Sequence, residues 1–333
     1  MVRPLERLLV RLPNWLGDAL MSRPLLHALR AAHPAAELRA VGPRELVELL
    51  AAARVFDQGH PWPAGRSGRA ALERTLRAWR PEAALVLPPS FSSALFARRC
   101  GAAVRVGFRH EARRALLTRA LPRPARGDLH LSREYLLLGA ELGAHAVPLP
   151  DLALPAGAAE RAAALLAARG LAGRDCAVLG PGATYGPAKR WSAERFAALG
   201  RALAARGLAV LVCGAAAERA TCAAVAEGLG PAALVLAGET DLAAQAALLA
   251  RAAVAVCNDS GLAHLSAAVG TPTVTIFGST SSAWTAPLGR RVRVVQHAPV
   301  CAPCFQRSCR IGTPCLEAVT VAGVGRAVDQ VAA

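Results

Sequence analysis

Residues 253–277 read AVAVCNDSGLAHLSAAVGTPTVTIF, and the pattern of this stretch indicates how the chain folds. Short apolar runs stand at both ends of this stretch, and between them lies a helical pattern that a glycine and a proline close. The pattern predicts a strand, a turn, a helix and a second strand, at Val254–Cys257, residues 258–261, Leu262–Val269 and Thr273–Phe277. Strands joined by a helix form a parallel sheet, and ligands of open α/β sheets bind at the carboxyl ends of the strands. The turn is therefore a candidate binding site.

The helix after this turn begins beside Asp259, Ser260 and Gly261. The unpaired N–H groups and positive dipole at a helix N-terminus suit a phosphate group. His264 follows Gly261 by about one helical turn, so it can point toward the same position. The alternative is that Asp259 or Ser260 only caps the helix and that His264 packs in the core. Residue spacing leaves both interpretations open.

The rest of the chain alternates strands and helices in two blocks, which indicates doubly wound parallel sheets. The first block predicts a long helix at Ala19–His33 and strands at Leu8–Leu12, Leu38–Val41, Ala83–Leu87 and Val104–Gly107. The second predicts strands at Cys176–Leu179, Leu208–Cys213 and Leu234–Leu236, and a closing helix at Val319–Val331. Prolines and a glycine between positions 148 and 157 mark a linker. We expect an α/β protein of two Rossmann-like domains, residues 1–152 and 153–333, facing across a cleft.

Positive charge is concentrated in the first block. The chain has a net charge of +16, and residues 1–150 carry 23 arginines against 12 acidic residues. Such a field favours an anionic partner, namely nucleic acid, an acidic membrane surface or a phosphorylated substrate. An arginine-rich composition is the alternative explanation. The N-terminus lacks the apolar core of a signal peptide, which predicts a cytoplasmic protein.

Asp18 lies where the first predicted strand passes into the first helix, in the sequence PNWLGD. A carboxylate at the ligand-binding edge of a sheet can act as a general base. The alternative is that Asp18 is a helix N-cap.

A glycine-containing loop at residues 180–191, GPGATYGPAKRW, follows the first strand of the second block. Thr184 offers a hydroxyl, and Lys189, the only lysine in the chain, offers a point charge for a phosphate. The glycine spacing does not match the dinucleotide-binding pattern, and Lys189 is followed by Arg190 instead of the Ser or Thr of a P-loop. NAD and P-loop chemistry are therefore not expected.

Four segments, taken together and in this order, resemble the ADP-heptose:lipopolysaccharide heptosyltransferases of glycosyltransferase family 9. They are NWLGDALMSRPLLHAL (14–29), PGATYGPAKRW (181–191), LAGETDL (236–242) and NDSGLAHLSAAVGTPTVTIFG (258–278). The second of these and LPPSFSSAL (87–95) are most similar to heptosyltransferase II. The resemblance covers nearly the whole chain.

The resemblance implies a GT-B fold with the acceptor on the first domain and the nucleotide sugar on the second. It implies an inverting, metal-independent transfer of heptose, with ADP-heptose as co-substrate and no further cofactor. The family's base falls on Asp18, and its donor contacts fall on Thr184, Lys189, Glu218, Thr240, Asp259, Ser260, Gly261 and His264. Lys189 would also stabilise the leaving ADP. The candidate acceptor contacts are Asn14, Ser90, Arg109 and Arg113.

Four cysteines, Cys301, Cys304, Cys309 and Cys315, stand close together in the C-terminal region. In a cytoplasmic protein disulfides are disfavoured, so a structural zinc site or an iron–sulfur cluster is one interpretation. The spacing is tighter than that of paired zinc knuckles, and we expect reduced structural thiols.

The expected partners are the donor and an anionic lipopolysaccharide core, met at the cytoplasmic face of the inner membrane. Two other interpretations stay open, a related glycosyltransferase with another nucleotide sugar and an arginine-rich nucleic-acid-binding protein. The latter is disfavoured because only 4% of the residues are aromatic, so bases would find few rings on which to stack.

Overall fold

A computed structural model of the chain describes residues 5–230 and 233–332. The chain divides into two compact units, Met1–Pro150 and Asp151–Ala333, whereas the sequence placed the boundary after residue 152. Each unit is built on one six-stranded sheet in which every strand pairing is parallel. The expected α/β class with two Rossmann-like domains is confirmed.

The first sheet has the strand order β3-β2-β1-β4-β5-β6. Its strands are β1 (Arg7–Arg11), β2 (Glu37–Gly42), β3 (Gln58–Pro61), β4 (Ala83–Val86), β5 (Val104–Phe108) and β6 (Arg119–Leu121). The helices of this unit are α1 (Leu16–Met21), α2 (Arg23–Ala32), α3 (Arg44–Ala51), α4 (Gly65–Trp79), α5 (Phe91–Arg99) and α6 (Leu131–Ala140), and residues 111–116 form a 3₁₀ turn.

The single helix predicted at Ala19–His33 is wrong, because the structure has two helices that meet at Ser22. Pro24 lies in the first turn of α2 and has no N–H to donate into the preceding turn. The Ser22 hydroxyl donates to the carbonyl of Ala19 at 2.7 Å, which satisfies an acceptor left over at the end of α1. A proline therefore divides what the apolar spacing presents as one helix.

The second sheet has the strand order β12-β11-β10-β7-β8-β9. Its strands are β7 (Cys176–Gly180), β8 (Ala209–Val212), β9 (Ala233–Val235), β10 (Val254–Asn258), β11 (Thr273–Phe277) and β12 (Val292–Gln296). The helices are α7 (Ala158–Ala168), α8 (Ala193–Ala204), α9 (Arg219–Leu229), α10 (Leu242–Arg251), α11 (Gly261–Ala268), α12 (Ser282–Thr285), α13 (Pro314–Glu317) and α14 (Val321–Ala332).

The central strands of both sheets are almost entirely buried, which explains their continuous apolar runs. In the second unit, Val274 and Ile276 of β11 share one apolar core with Val324 and Val328 of α14. The closing helix thus covers the sheet that carries the β10–α11–β11 unit.

No helix among residues 5–230 and 233–332 combines the length and apolarity that crossing a membrane requires.

Candidate functional site

The order of the second sheet reverses between β7 and β10, which are neighbours. The chain runs outward from β7 to β9 on one side and from β10 to β12 on the other. Crevices at such reversal points, outside the carboxyl ends of the strands, are where doubly wound sheets bind their ligands. The two loops that leave this point are residues 181–191 and 259–260, and both were singled out from the sequence.

Lys189 and Asp259 meet at this point. Lys189 Nζ lies 2.5 Å from Asp259 Oδ2, and the hydroxyl of Thr280 donates to the same carboxylate oxygen at 2.5 Å. The side chain of Asp259 is 3% exposed and that of Lys189 is 13% exposed. The Asp259 carboxylate does not cap α11, because it is engaged with Lys189 and Thr280. The N-cap position of α11 is occupied by Ser260.

The N-terminus of α11 has no side-chain cap. The hydroxyl of Ser260 is buried and, among the described residues, has no hydrogen-bond partner. The first amides of a helix also lack partners within the helix. The buried hydroxyl and the uncapped amides can all donate hydrogen bonds, and the Lys189 ammonium lies at the same reversal point. An anion bound here would accept these hydrogen bonds. His264, in the first turn and 5% exposed, lies on this helix as well.

Asn258 holds both ends of the glycine loop. Its side-chain oxygen accepts from the backbone N–H of Trp191 at 3.0 Å, and its amide donates to the carbonyl of Pro181 at 2.7 Å. The side chain is fully buried. Asn258 is absent from the candidate site residues above, although it is one of only two asparagines in the chain, and this rarity is the sequence signal that points to it.

Glu218 lies where the loops after β7 and β8 meet. Its carboxylate accepts from the N–H of Ala215 at 3.0 Å and packs against Gly182 so closely that a Cβ there would lie 2.2 Å from the carboxyl carbon. Thr240 is in the loop after β9 and donates to the side-chain oxygen of Gln245 at 3.0 Å. Thr184 is exposed on the glycine loop. All these candidates thus lie in loops at the carboxyl ends of the strands of one sheet.

In the first unit the reversal point lies between β1 and β4. Asp18 is in the first turn of α1, whose N-cap is Trp15, so Asp18 is not the cap. Burial, and then the charge of Asp18, raises the pKa of the Tyr135 hydroxyl well above its ordinary value. The charge of Asp18 therefore acts on a buried tyrosine hydroxyl that holds its proton more tightly than usual.

Two candidate acceptor contacts lie in the loops at this edge. Asn14 follows β1, and its side-chain oxygen accepts from Arg11 Nη2 at 2.7 Å. Ser90 follows β4 and caps α5, accepting from the N–H of Ser93 at 3.3 Å.

Arg113 and Arg109 have opposite surroundings. Arg109 is exposed, whereas Arg113 is 1% exposed and donates to the carbonyls of Pro88 and Val86 beyond and within β4. Burial lowers the pKa of Arg113 to about 10. The guanidinium of Arg113 thus holds the loop that leads to Ser90. A contact between Arg113 and the acceptor stays a prediction.

The four C-terminal cysteines are free thiols in different surroundings. Cys301 is exposed, Cys304 and Cys309 are half-buried, and Cys315 is buried. Across residues 5–230 and 233–332, no group of three or more histidine, cysteine or acidic side chains has an arrangement that could hold a metal ion. The zinc and iron–sulfur interpretations therefore gain no support from the arrangement of these thiols.

Comparison with known proteins finds a matching family model and a similar sequence. The model of glycosyltransferase family 9 (heptosyltransferase) matches residues 69–314. The chain is 32% identical over 307 residues to lipopolysaccharide heptosyltransferase 2 of Salmonella typhimurium, covering 87% of this chain and 88% of that protein.

Solved structures agree with this. The Escherichia coli ADP-heptose lipopolysaccharide heptosyltransferase II superposes with a TM-score of 0.81 at 28% identity, over 98% of each chain. A family 9 glycosyltransferase from Veillonella parvula superposes with a TM-score of 0.87 at 20% identity, over 100% of this chain and 98% of that one, and shows the shared fold.

Proposed function

The chain belongs to glycosyltransferase family 9, the heptosyltransferases, and we propose that it moves heptose from ADP-L-glycero-D-manno-heptose onto the inner core of lipopolysaccharide, with inversion, as the second heptose. The observation that carries this proposal is the Lys189–Asp259 pair beside the uncapped N-terminus of α11, at the reversal point of the second sheet. The expected GT-B fold class agrees with the superposition on heptosyltransferase II.

On the donor side, we assign the diphosphate of ADP-heptose to Lys189 and to the amides around Ser260 and Gly261. When the bond from the anomeric carbon to the diphosphate oxygen breaks, ADP leaves with the electron pair and gains negative charge. Fixed cationic groups and amide dipoles stabilise such charge without having to reorganise. Asp259 keeps the ammonium of Lys189 in place through the 2.5 Å contact. The donor would need no further cofactor.

We assign the remaining donor contacts to the other loops of this edge. Glu218 is suited to the ribose hydroxyls because a carboxylate accepts hydrogen bonds from a diol. Thr240 is assigned to the adenosine, and Thr184 and His264 to the diphosphate or the heptose. Residues 153–333 are thus proposed as the donor domain.

On the acceptor side, we assign Asp18 as the general base. The acceptor hydroxyl gives its proton to the Asp18 carboxylate, and its oxygen attacks the anomeric carbon from the face opposite ADP. Tyr135 stays neutral beside it, because burial and the charge of Asp18 raise the pKa of its hydroxyl. Asn14, Ser90, Arg109 and Arg113 are proposed to bind or shape the acceptor site within residues 1–152.

We place the reaction at the cytoplasmic face of the inner membrane, with peripheral contact. The arginine excess of residues 1–150 suits an anionic, phosphate-bearing core acceptor. Nucleic acid is not a proposed partner, because few aromatic residues are available for base stacking.

The deciding experiment is a transfer assay with ADP-heptose and core acceptors that carry zero, one or two heptoses. We expect product only with the one-heptose acceptor. Transfer to the acceptor without heptose would reassign the chain to the first addition. Tight binding of a UDP-sugar without affinity for ADP-heptose would replace the proposal by the alternative of another nucleotide-sugar donor.

A further inference from the structure

The backbone of residues 305–307, which we call the clamp segment, lies directly on the glycine loop. The hydroxyl of Tyr185 donates to the carbonyl of Phe305 at 2.5 Å, and Nε of Arg307 donates to the carbonyl of Tyr185 at 2.8 Å. The N–H of Ala188 donates to the carbonyl of Arg307 at 3.1 Å. Three hydrogen bonds thus join the clamp segment to the four residues that precede Lys189.

The clamp segment also contacts the loop after β11 and the helix α12 that follows this loop. The N–H of Phe305 donates to the carbonyl of Ser279 at 2.8 Å, and the Phe305 ring packs edge-on against Trp284 with 5.8 Å between centroids. Ser279 precedes Thr280, whose hydroxyl binds Asp259. The clamp segment therefore connects the loop that carries Lys189 with the loop that carries Thr280, and both of these residues contact Asp259.

The ring of Tyr185 relates the clamp segment to the lysine itself. Lys189 Nζ lies 5.0 Å from the centroid of this ring, and the guanidinium carbon of Arg307 lies 5.5 Å from it. Gly186 permits the close approach, because a Cβ at this position would lie 2.3 Å from the Arg307 carbonyl oxygen. The ring, the backbone before Lys189 and the carboxylate of Asp259 together define the position of the ammonium.

Resting on the proposed function, we propose that the clamp segment holds the glycine loop in its donor-binding conformation, and that Tyr185 and Arg307 are positioning residues for Lys189. Ala183 and Ala188 are buried, but Thr184, Tyr185 and Pro187 between them are exposed, so this part of the loop has little core packing of its own to order it. A lysine side chain on an unrestrained loop loses conformational entropy when it binds a phosphate, whereas a pre-positioned one loses less. The clamp segment thus raises donor affinity without touching the donor.

Tyr185→Phe and Arg307→Ala test this role. Each variant removes one clamp hydrogen bond, and the first keeps the ring under Lys189. We expect the Kd for ADP, measured by titration calorimetry, and the KM for ADP-heptose to rise about two- to tenfold, as the loss of one hydrogen bond implies. The KM for the acceptor should not change. Arg310→Ala is the matched control, because Arg310 is exposed in the same region and has the same charge.

Hydrogen exchange of the Ala188 amide gives a readout that needs no ligand. We expect faster exchange at Ala188 in both variants and wild-type exchange in Arg310→Ala. Unchanged exchange at Ala188, or an unchanged Kd for ADP with only a lower melting temperature, would overturn the inference. If the wild-type chain binds no ADP, the proposed function is refuted. If the two variants nevertheless exchange faster at Ala188 than the wild type, the clamp segment still holds the glycine loop.

Discussion

Lys189 follows β7 and Asp259 follows β10, and their side chains meet with 2.5 Å between Nζ and Oδ2. Neighbouring parallel strands bring these two loops together, although the residues are far apart in the chain. The carboxylate of Asp259 is nearly inaccessible to water, and Lys189 and the Thr280 hydroxyl supply its contacts in place of water. The pair therefore contributes to the stability of the second unit as well as to the proposed donor site.

Replacing Lys189 by alanine should lower both the rate of transfer and the stability of the protein. Removing a group that stabilises developing charge lowers kcat by about 10²–10³, and leaving one member of a buried ion pair unpaired costs about 3 kcal/mol of stability. Steady-state kinetics and urea unfolding measure the two effects. Lys189→Arg, which keeps the charge, is the control and should retain most of the stability. Wild-type kcat/KM in Lys189→Ala would remove this residue from the mechanism.

Asp18→Asn should abolish most turnover and leave donor binding intact. Loss of a general base costs about 10²–10⁴ in rate, whereas we assign ADP to the other domain. Kinetics of heptose transfer, together with calorimetric titration of ADP, separate the two effects. Glu48→Gln removes an exposed carboxylate from the same unit and should behave as wild type. An Asp18→Asn enzyme with full activity would contradict the assignment.

Gly182→Ala should displace the carboxylate of Glu218, because the new Cβ would lie 2.2 Å from its carboxyl carbon. The side chain can swing away, so we expect a small change in stability but a higher KM for ADP-heptose. The same rise in KM should appear in Glu218→Gln, and the double variant should show no further rise, since both changes disturb one contact.

Gly325→Ala in α14 is the matched control, because a Cβ there meets no atom within 4 Å apart from its chain neighbours and the backbone of its own helix. It should stabilise the helix by about 0.5–1 kcal/mol. A KM for Gly182→Ala equal to that of the wild type would argue against a role of Glu218 in donor binding.

The stability of the protein should fall on the alkaline side. Burial raises the pKa of the Cys100, Cys213 and Cys222 thiols from 9.0 to about 12. Above pH 9 the unfolded chain releases these protons and the folded chain keeps them, so the stability present below pH 9 is lost progressively toward pH 12. Urea unfolding at pH 8 and pH 10 measures this loss. The free energy of unfolding should depend less on pH in Cys213→Ala than in the wild type. An equal dependence in that variant would show that the Cys213 thiol is not a source of the loss.

Much of the fold was predictable because it is recorded in local patterns. The central strands are buried on both faces and appear as apolar runs, so β10 and β11 were located to within a residue. The strands that the sequence did not predict, β3, β6 and β12, all lie at sheet edges. An edge strand such as QGHP in β3 is largely solvent-exposed and has no apolar signature.

The loops that follow the central strands, and the residue types in them, could be identified from the sequence because strand–loop–helix order and residue type are local properties. Which side chains meet depends on the tertiary structure. Asn258 bonding to Pro181 and Trp191, and Tyr185 bonding to Phe305, join residues that only the folding of the second unit brings together. The same distinction applies to Arg113, which as a residue type suits an anionic acceptor but in the fold donates to the carbonyls near β4. Hydrogen bonds act over about 3 Å in space regardless of distance along the chain, so no periodicity in the sequence encodes them.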